Sequence, residues 1–423
     1  MAFDAAHALA TAGVVLLAST AASALFQRTR VPDVLQLLVF GVLAGPVLHV
    51  LDASLFATIA PVASIAAVLV ILFDGGLDIQ LRDLRRGAGP SLLLAVLAWG
   101  ATAVLSAGAA FWILHVSASV AVLLGMCFGG AGVAIVIPLI RRMAVSREAS
   151  TLVSLQAAAS DVLVVVGVFS LSSALALPGS GPGAFALGLA LSFAVGLAFG
   201  ALAGLGWAWM LGRRWATGQE SIVTVGAVFL VYAATEALHG SGPLGVLAFA
   251  LAIANSPAGS AFVQKEHPEG LPTAAPRSPQ EHPSSFHRHA MLAIRAFVFV
   301  GLGATLDFQV LARPGILPAA LAITLAVIVA RAWALGFLTR RRLPSLFDRA
   351  AVAAMFPCGL PTAAGALIPW TRFHIAGTDV LPQIAAVVIL LTIAANGIVV
   401  AMLLQPGVRQ RLEGPAGAPP PSL

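Results

Sequence analysis

The sequence predicts an all-α polytopic membrane protein of about thirteen transmembrane helices, built as inverted repeats with two discontinuous helices. Three observations carry that expectation. Hydrophobic residues make up 59% of the 423-residue chain and charged ones 9%, against roughly a quarter charged in a soluble domain. Apolar runs close to the roughly 20 residues needed to cross a bilayer recur from end to end. Two of those runs are interrupted by Gly and Pro at corresponding places, the pattern of paired broken helices around a pseudo-two-fold axis.

The spans fall near residues 5–26, 31–48, 58–77, 90–114, 119–140, 151–176, 183–211, 221–238, 243–255, 290–306, 315–338, 350–369 and 381–404. The start, Met1-Ala2-Phe3-Asp4, has an acid and no Lys or Arg before its apolar stretch. It lacks the basic region of a cleaved signal and reads as part of the first span. The ninth span is short and follows the eighth across His239-Gly240-Ser241-Gly242-Pro243, so a single bent hairpin competes with two crossings.

Charge placement arbitrates. With the N-terminus outside and the C-terminus cytoplasmic, 19 of the 23 Lys and Arg residues fall in inside loops, only Arg313 and Arg372 fall outside, and Arg295 and Arg331 lie within spans. This positive-inside bias breaks after the eighth span unless the ninth crosses. It also accounts for the sequence pI near 10.8 without nucleic acid as a partner. Residues 1–404 read as one transmembrane domain, with 256–289 as a flexible inside loop holding His267, His282, His287 and His289. Their spacing matches no metal-ligand pattern. Residues 405–423 read as a disordered cytoplasmic tail. Cys127 and Cys358 lie in apolar segments, so no disulfide framework is expected.

The fifth span contains Gly129, Gly130 and Gly132, and the twelfth contains Pro357, Cys358, Gly359 and Pro361. Non-helical backbone is expected from Gly129 to Val133 and from Pro357 to Pro361, the two segments crossing close to one another. Broken helices free amides and carbonyls near the membrane midplane, which is tolerated only beside protein or water. If spans one to six and eight to thirteen are copies of one unit, the two breaks correspond, and such a pair marks the substrate site of a secondary transporter. The competing reading is that the glycines only permit close helix packing.

One span later, Ser160-Asp161 places a carboxylate inside an apolar run. At membrane depth that costs a few kcal/mol or more, and such acids usually carry ions or protons. The alternative is an Asp that caps or packs a helix, held by hydroxyls such as those of Ser160 and Ser154.

The ordered set of motifs resembles the monovalent cation/proton antiporter superfamily, which includes the sodium/proton exchangers. The resemblance rests on Leu72-Phe73-Asp74-Gly75-Gly76-Leu77-Asp78 with the basic loop Leu81-Arg82-Asp83-Leu84-Arg85-Arg86; on Gln156 followed by Ser160-Asp161; on Glu236 with Ser241-Gly242; on Arg295 before Gly301-Leu302-Gly303; and on Ala330-Arg331. It extends to about residue 404. The chain departs from the family pattern in three places. Gly130-Ala131-Gly132-Val133 occupies the break where the family places Thr or Ser side chains, Cys358 stands where it has an Arg, and Gln156 stands where it has a Glu that pairs with the tenth-span Arg.

The resemblance implies an antiporter, not an enzyme, that exchanges Na⁺ or K⁺ for H⁺ by competition at Asp161, with Ser160, Asp74 and Gln156 beside the ion. It implies a homodimer in the plasma (inner) membrane, with no cofactor and no metal beyond the transported cation. Arg295 is expected within reach of Asp161 and to tune its affinity for protons. Glu236 reads as functional or as hydrogen-bonded to Ser241 or Tyr232, and Arg331 as a holder of break carbonyls or an ion contact. Two other classes stay open: a transporter of another substrate on the same fold, and a non-transporting membrane sensor or assembly subunit.

Overall fold

The computed structural model describes residues 10–11, 13–22, 32–51, 53–78, 89–176, 182–213, 219–257, 259, 286–339, 343 and 345–413. All regular structure among them is helical. We number the helices α1 (Gly13–Ala22), α2 (Asp33–Val42), α3 (Ala53–Asp78), α4 (Gly89–Leu114), α5 (Ala118–Cys127), α6 (Val133–Met143), α7 (Arg147–Leu175), α8 (Pro182–Gly212), α9 (Glu220–Ala237), α10 (Gly242–Ala254), α11 (Phe286–Ala304), α12 (Phe308–Leu311), α13 (Ile316–Thr339), α14 (Leu346–Ala353), α15 (Leu360–Thr371), α16 (Val380–Leu403) and α17 (Pro406–Glu413). A helix or helix pair occupies the described part of every expected span. Stretches of α3, α4, α7, α8, α13 and α16 are long and apolar enough to cross a membrane. Helices satisfy their own backbone groups, and this is what permits such lengths in lipid.

Two packing groups surround the interrupted helices. In one, α4 lies against α5, α7 and α13, α15 lies against α7 and α16, and α13 lies against α16. In the other, α10 lies against α8, α9 and α3, and α11 lies against α2 and α3. Helix α3 also packs on α7 and α15, so it joins the groups. Outward faces are apolar, as on α13, where Leu317, Leu321, Leu325, Val329 and Trp333 form an exposed stripe that suits a lipid surrounding.

Small residues set the closest approaches. A Cβ on Gly45 would meet the Ala304 Cα at 2.6 Å, and one on Gly303 would strike the Leu38 carbonyl, so α2 and α11 pack backbone to backbone. After Val42 the helix continues as a π turn, Leu43–Val47, that contains Gly45 and Pro46, the local adjustment that lets a Pro sit in a membrane helix. The stretch 238–241 separates α9 from α10, so the eighth and ninth spans are separate helices. Helix α10 is buried along most of its length.

The boundaries differ from the sequence expectation at four points. The first break covers residues 128–132 and the second 354–359, so Val133, Leu360 and Pro361 are helical. Pro361 falls in the first turn of α15, where a missing N–H costs nothing and the fixed φ favours the helix. The tail expected to be disordered begins with a helix, α17, which packs on α14 with the Arg409 guanidinium 4.9 Å from the Phe347 ring centre. The expected loop 256–289 ends earlier, because α11 starts at Phe286. Most of that loop, the basic loop after α3, and residues 414–423 lie outside the described residues.

Candidate functional site

The fifth and twelfth spans are each split, into α5 and α6 and into α14 and α15, and the two breaks touch. Gly132 has φ +59°, in the left-handed region where L side chains are strained. A Cβ there would lie 3.0 Å from the Pro357 carbonyl oxygen, and one on Gly359 would lie 2.7 Å from the Gly132 Cα. Only glycines permit this crossing. Gly129 is likewise covered by the Trp99 indole, which leaves no room for a Cβ.

Asp161 sits beside the crossing at 5% exposure. The N–H groups of Gly132 and Val133 donate to its Oδ1 and Oδ2, each at 3.1 Å. These amides start α6, so the carboxylate stands at the positive end of that helix dipole. Ser160 supports it from the same turn: its hydroxyl accepts from the Ala131 N–H at 3.2 Å and donates to the Ala157 carbonyl at 2.9 Å. Asp161 thus caps the start of α6, held by backbone amides and not by the Ser160 hydroxyl. Each carboxylate oxygen accepts one of these N–H groups and has a second lone pair.

The opposite charge comes from Arg331, which is fully buried. Its Nη2 donates to the Gly129 carbonyl at 2.6 Å and its Nη1 to the Met355 carbonyl at 3.2 Å. Those carbonyls follow the C-terminal ends of α5 and α14, where a cation complements the dipole. One guanidinium thereby ties both breaks together. Its planar fork suits that task better than a Lys ammonium would.

Gln156 lies on α7 just over one turn before Asp161, with 1% of its surface exposed, and its Nε2 has no hydrogen-bond partner among the described residues. Asp74 is half-buried near the end of α3. Its neighbour Gly75 packs against Val162 of α7, so α3 brings Asp74 alongside the helix that carries Asp161.

Two expected participants are engaged elsewhere. Arg295 forms an ion pair with Asp33 at 2.5 Å and not with Asp161 or Glu236. Asp33 opens α2, which packs tightly on α11, so the nearest acid for Arg295 comes from that helix. Glu236 makes neither expected hydrogen bond. Its Oε1 accepts from the Gly242 N–H at 3.0 Å and its Oε2 pairs with Arg372 at 2.6 Å. The Arg372 guanidinium also lies 5.4 Å, 5.9 Å and 5.6 Å from the ring centres of Phe169, Tyr232 and Phe373.

Residues 14–405 match the sodium/hydrogen exchanger transmembrane family. The chain belongs to that family. The exchanger fold is also seen in solved structures. The sodium proton antiporter MjNhaP1 from Methanocaldococcus jannaschii, determined at pH 8, aligns with a TM-score of 0.76 at 19% identity over 94% of this chain and 99% of that one. An electron-microscopy map of the same antiporter aligns with a TM-score of 0.69 at 20% identity over 96% of this exchanger and 99% of that chain.

Sequence reading missed Asp33 and Arg372 as ion-pair partners, and it missed Thr392 and Asn396. The Thr392 Oγ1 accepts from the Cys358 N–H at 3.2 Å, and the Asn396 Nδ2 donates to the Ala354 carbonyl. A signal existed: polar residues four apart, on one helical face, in the most hydropathic of the long spans.

Proposed function

We propose that this exchanger moves a monovalent cation, Na⁺ or K⁺, across the plasma membrane in exchange for H⁺, the two competing for the Asp161 carboxylate. The observation that carries this reading is the placement of a buried carboxylate against two crossed, interrupted helices, with a buried guanidinium holding the breaks. Freed carbonyls and one ionised Asp can partly replace a cation's hydration shell, and a proton at the same Asp removes the charge that attracts the cation.

Charge bookkeeping favours a single ion. Arg331 complements the carbonyl ends of α5 and α14, and Asp161 complements the amide end of α6, so the ionised site is balanced before a cation enters. One acid that must be either protonated or cation-loaded gives one-for-one exchange. Ser160 fixes the break beside the ion, Asp74 supplies a further oxygen from α3, and Gln156 offers a neutral amide where an acid would add a second charge. The exchanger works as a homodimer, its N-terminus outside and its C-terminus cytoplasmic.

The test is a pH-gradient dequenching assay on proteoliposomes that hold the purified protein, with Na⁺, K⁺ and Li⁺ added in turn. Cation-driven proton release is expected. Its absence for every ion would favour the non-transporting reading.

A further inference from the structure

Helix α16 carries a clamp on the second break. Thr392 and Asn396 are both buried, at 0% and 1% exposure, and stand one turn apart. The Thr392 hydroxyl donates to the Ile389 carbonyl at 3.1 Å and accepts from the Cys358 N–H at 3.2 Å. Asn396 donates to the Ala354 carbonyl. Thr392 gives the Cys358 N–H an acceptor where the helix is interrupted, and Asn396 adds a side-chain donor to the Ala354 carbonyl, which also accepts from the Phe356 N–H at 3.0 Å.

The next carbonyl along is held from α13. Asn396 takes the Ala354 oxygen, and the adjoining Met355 oxygen then meets Arg331 Nη1, while Nη2 of the same guanidinium holds the Gly129 carbonyl of the first break. Two residues past Gly129, Ala131 starts the run of amides that reach Ser160 and Asp161. The chain of bonds therefore runs from α16 through the second break and Arg331 to the first break and the carboxylate. The side chains that make these bonds, Thr392, Asn396, Arg331, Ser160 and Asp161, are all buried, where a lost partner costs about 1–3 kcal/mol.

We propose that Thr392 and Asn396 are positioning residues for the Asp161 site: they set the geometry of the break crossing, and through it the affinity for cation and proton, without touching the ion. The inference rests on the antiport reading above. A loose clamp lets the crossing drift, which weakens cation binding and changes the competition with protons. The turnover of a loaded carrier is left nearly intact.

Thr392→Val keeps the shape and removes the hydroxyl; Thr392→Ser keeps the hydroxyl. In proteoliposomes, Thr392→Val is expected to raise the apparent KM for Na⁺ by about two- to tenfold, the range of one hydrogen bond. It should also displace the pH of half-maximal exchange and leave the rate at saturating Na⁺ within about twofold. Thr392→Ser should restore both. Na⁺-dependent thermal stabilisation of the purified protein gives a second readout and should weaken in Thr392→Val alone. An unchanged KM and pH profile in Thr392→Val, or equal defects in both variants, would overturn the inference. Should Thr392→Val not purify folded, Asn396→Ser, whose hydroxyl is too short to reach Ala354, is read in the same way; failure of both to fold would also overturn it, since the clamp would then serve the scaffold. A wild-type protein that exchanges nothing would sink the antiport reading instead.

Discussion

The backbone of Gly132 and the backbone of Gly359 meet without any side chain between them, so that a Cβ added to Gly359 would sit 2.7 Å from the Gly132 Cα. This contact brings two interrupted helices together at one point and aims the start of α6 at Asp161.

Any side chain at either glycine must push the breaks apart. Gly132→Ala also forces an L residue into the left-handed region, at a cost of roughly 1–2 kcal/mol. Both Gly132→Ala and Gly359→Ala should lower exchange by about tenfold or more, the equivalent of some 1.4 kcal/mol. Gly108→Ala, at a helical position with nothing within 4 Å, should leave exchange unchanged.

The Arg295–Asp33 pair fastens α11 to α2. Its side chains are 19% and 18% exposed. A double-mutant cycle of Arg295→Ala and Asp33→Asn on thermal stability should therefore give a coupling of about 0.5–3 kcal/mol. Neither variant should move the pH at which exchange is half-maximal. A clear shift in Arg295→Ala alone would return that residue to the ion site.

Arg372 pairs with Glu236 and sits among three aromatic rings. Arg372→Lys keeps the charge but gives up the planar guanidinium, so it should destabilise the protein by about 0.5–1 kcal/mol through the ring contacts. Glu236→Gln keeps an acceptor for the Gly242 N–H and loses the ion pair. At 28% and 29% exposure that loss should be about 0.5–1 kcal/mol and should shrink at high salt, where charges this accessible are screened. Thermal denaturation at low and high salt checks both.

Much of this arrangement was legible in the chain. Hydropathy and the Lys and Arg pattern locate the helices, because the bilayer demands long apolar segments and penalises charge. Gly129, Gly130, Gly132, Pro357 and Gly359 mark the breaks because helices tolerate them poorly. Ion-pair partners were not legible. Arg295 chooses Asp33 because α2 and α11 pack backbone to backbone, a tertiary fact that spacing along the chain does not encode. The second break opens three residues before Pro357, and it closes two residues before the expected edge because Pro361 begins a helix well. Thr392 and Asn396 are not charged, and what they do shows only once the second break brings the Cys358 N–H and the Ala354 carbonyl against α16.

Competition at one carboxylate has a signed pH dependence. Protons and cation exclude one another, so the apparent KM for Na⁺ should rise as pH falls, approaching tenfold per unit where Asp161 is mostly protonated. The rate at saturating Na⁺ should change far less. Initial rates across a grid of pH and Na⁺ concentration measure this; a KM independent of pH would mean that the proton and the cation use separate sites.

The most direct test of the central claim is cation-driven proton release by Asp161→Asn in proteoliposomes, beside the wild-type protein at equal reconstitution. Asparagine keeps the side-chain shape and one acceptor oxygen for the α6 amides, so the helix start is largely held while the ionisable group is gone. Exchange with Na⁺ and with K⁺ should fall to the level of empty liposomes while the purified variant remains folded. Exchange that persists at the wild-type rate in this variant would contradict the central claim.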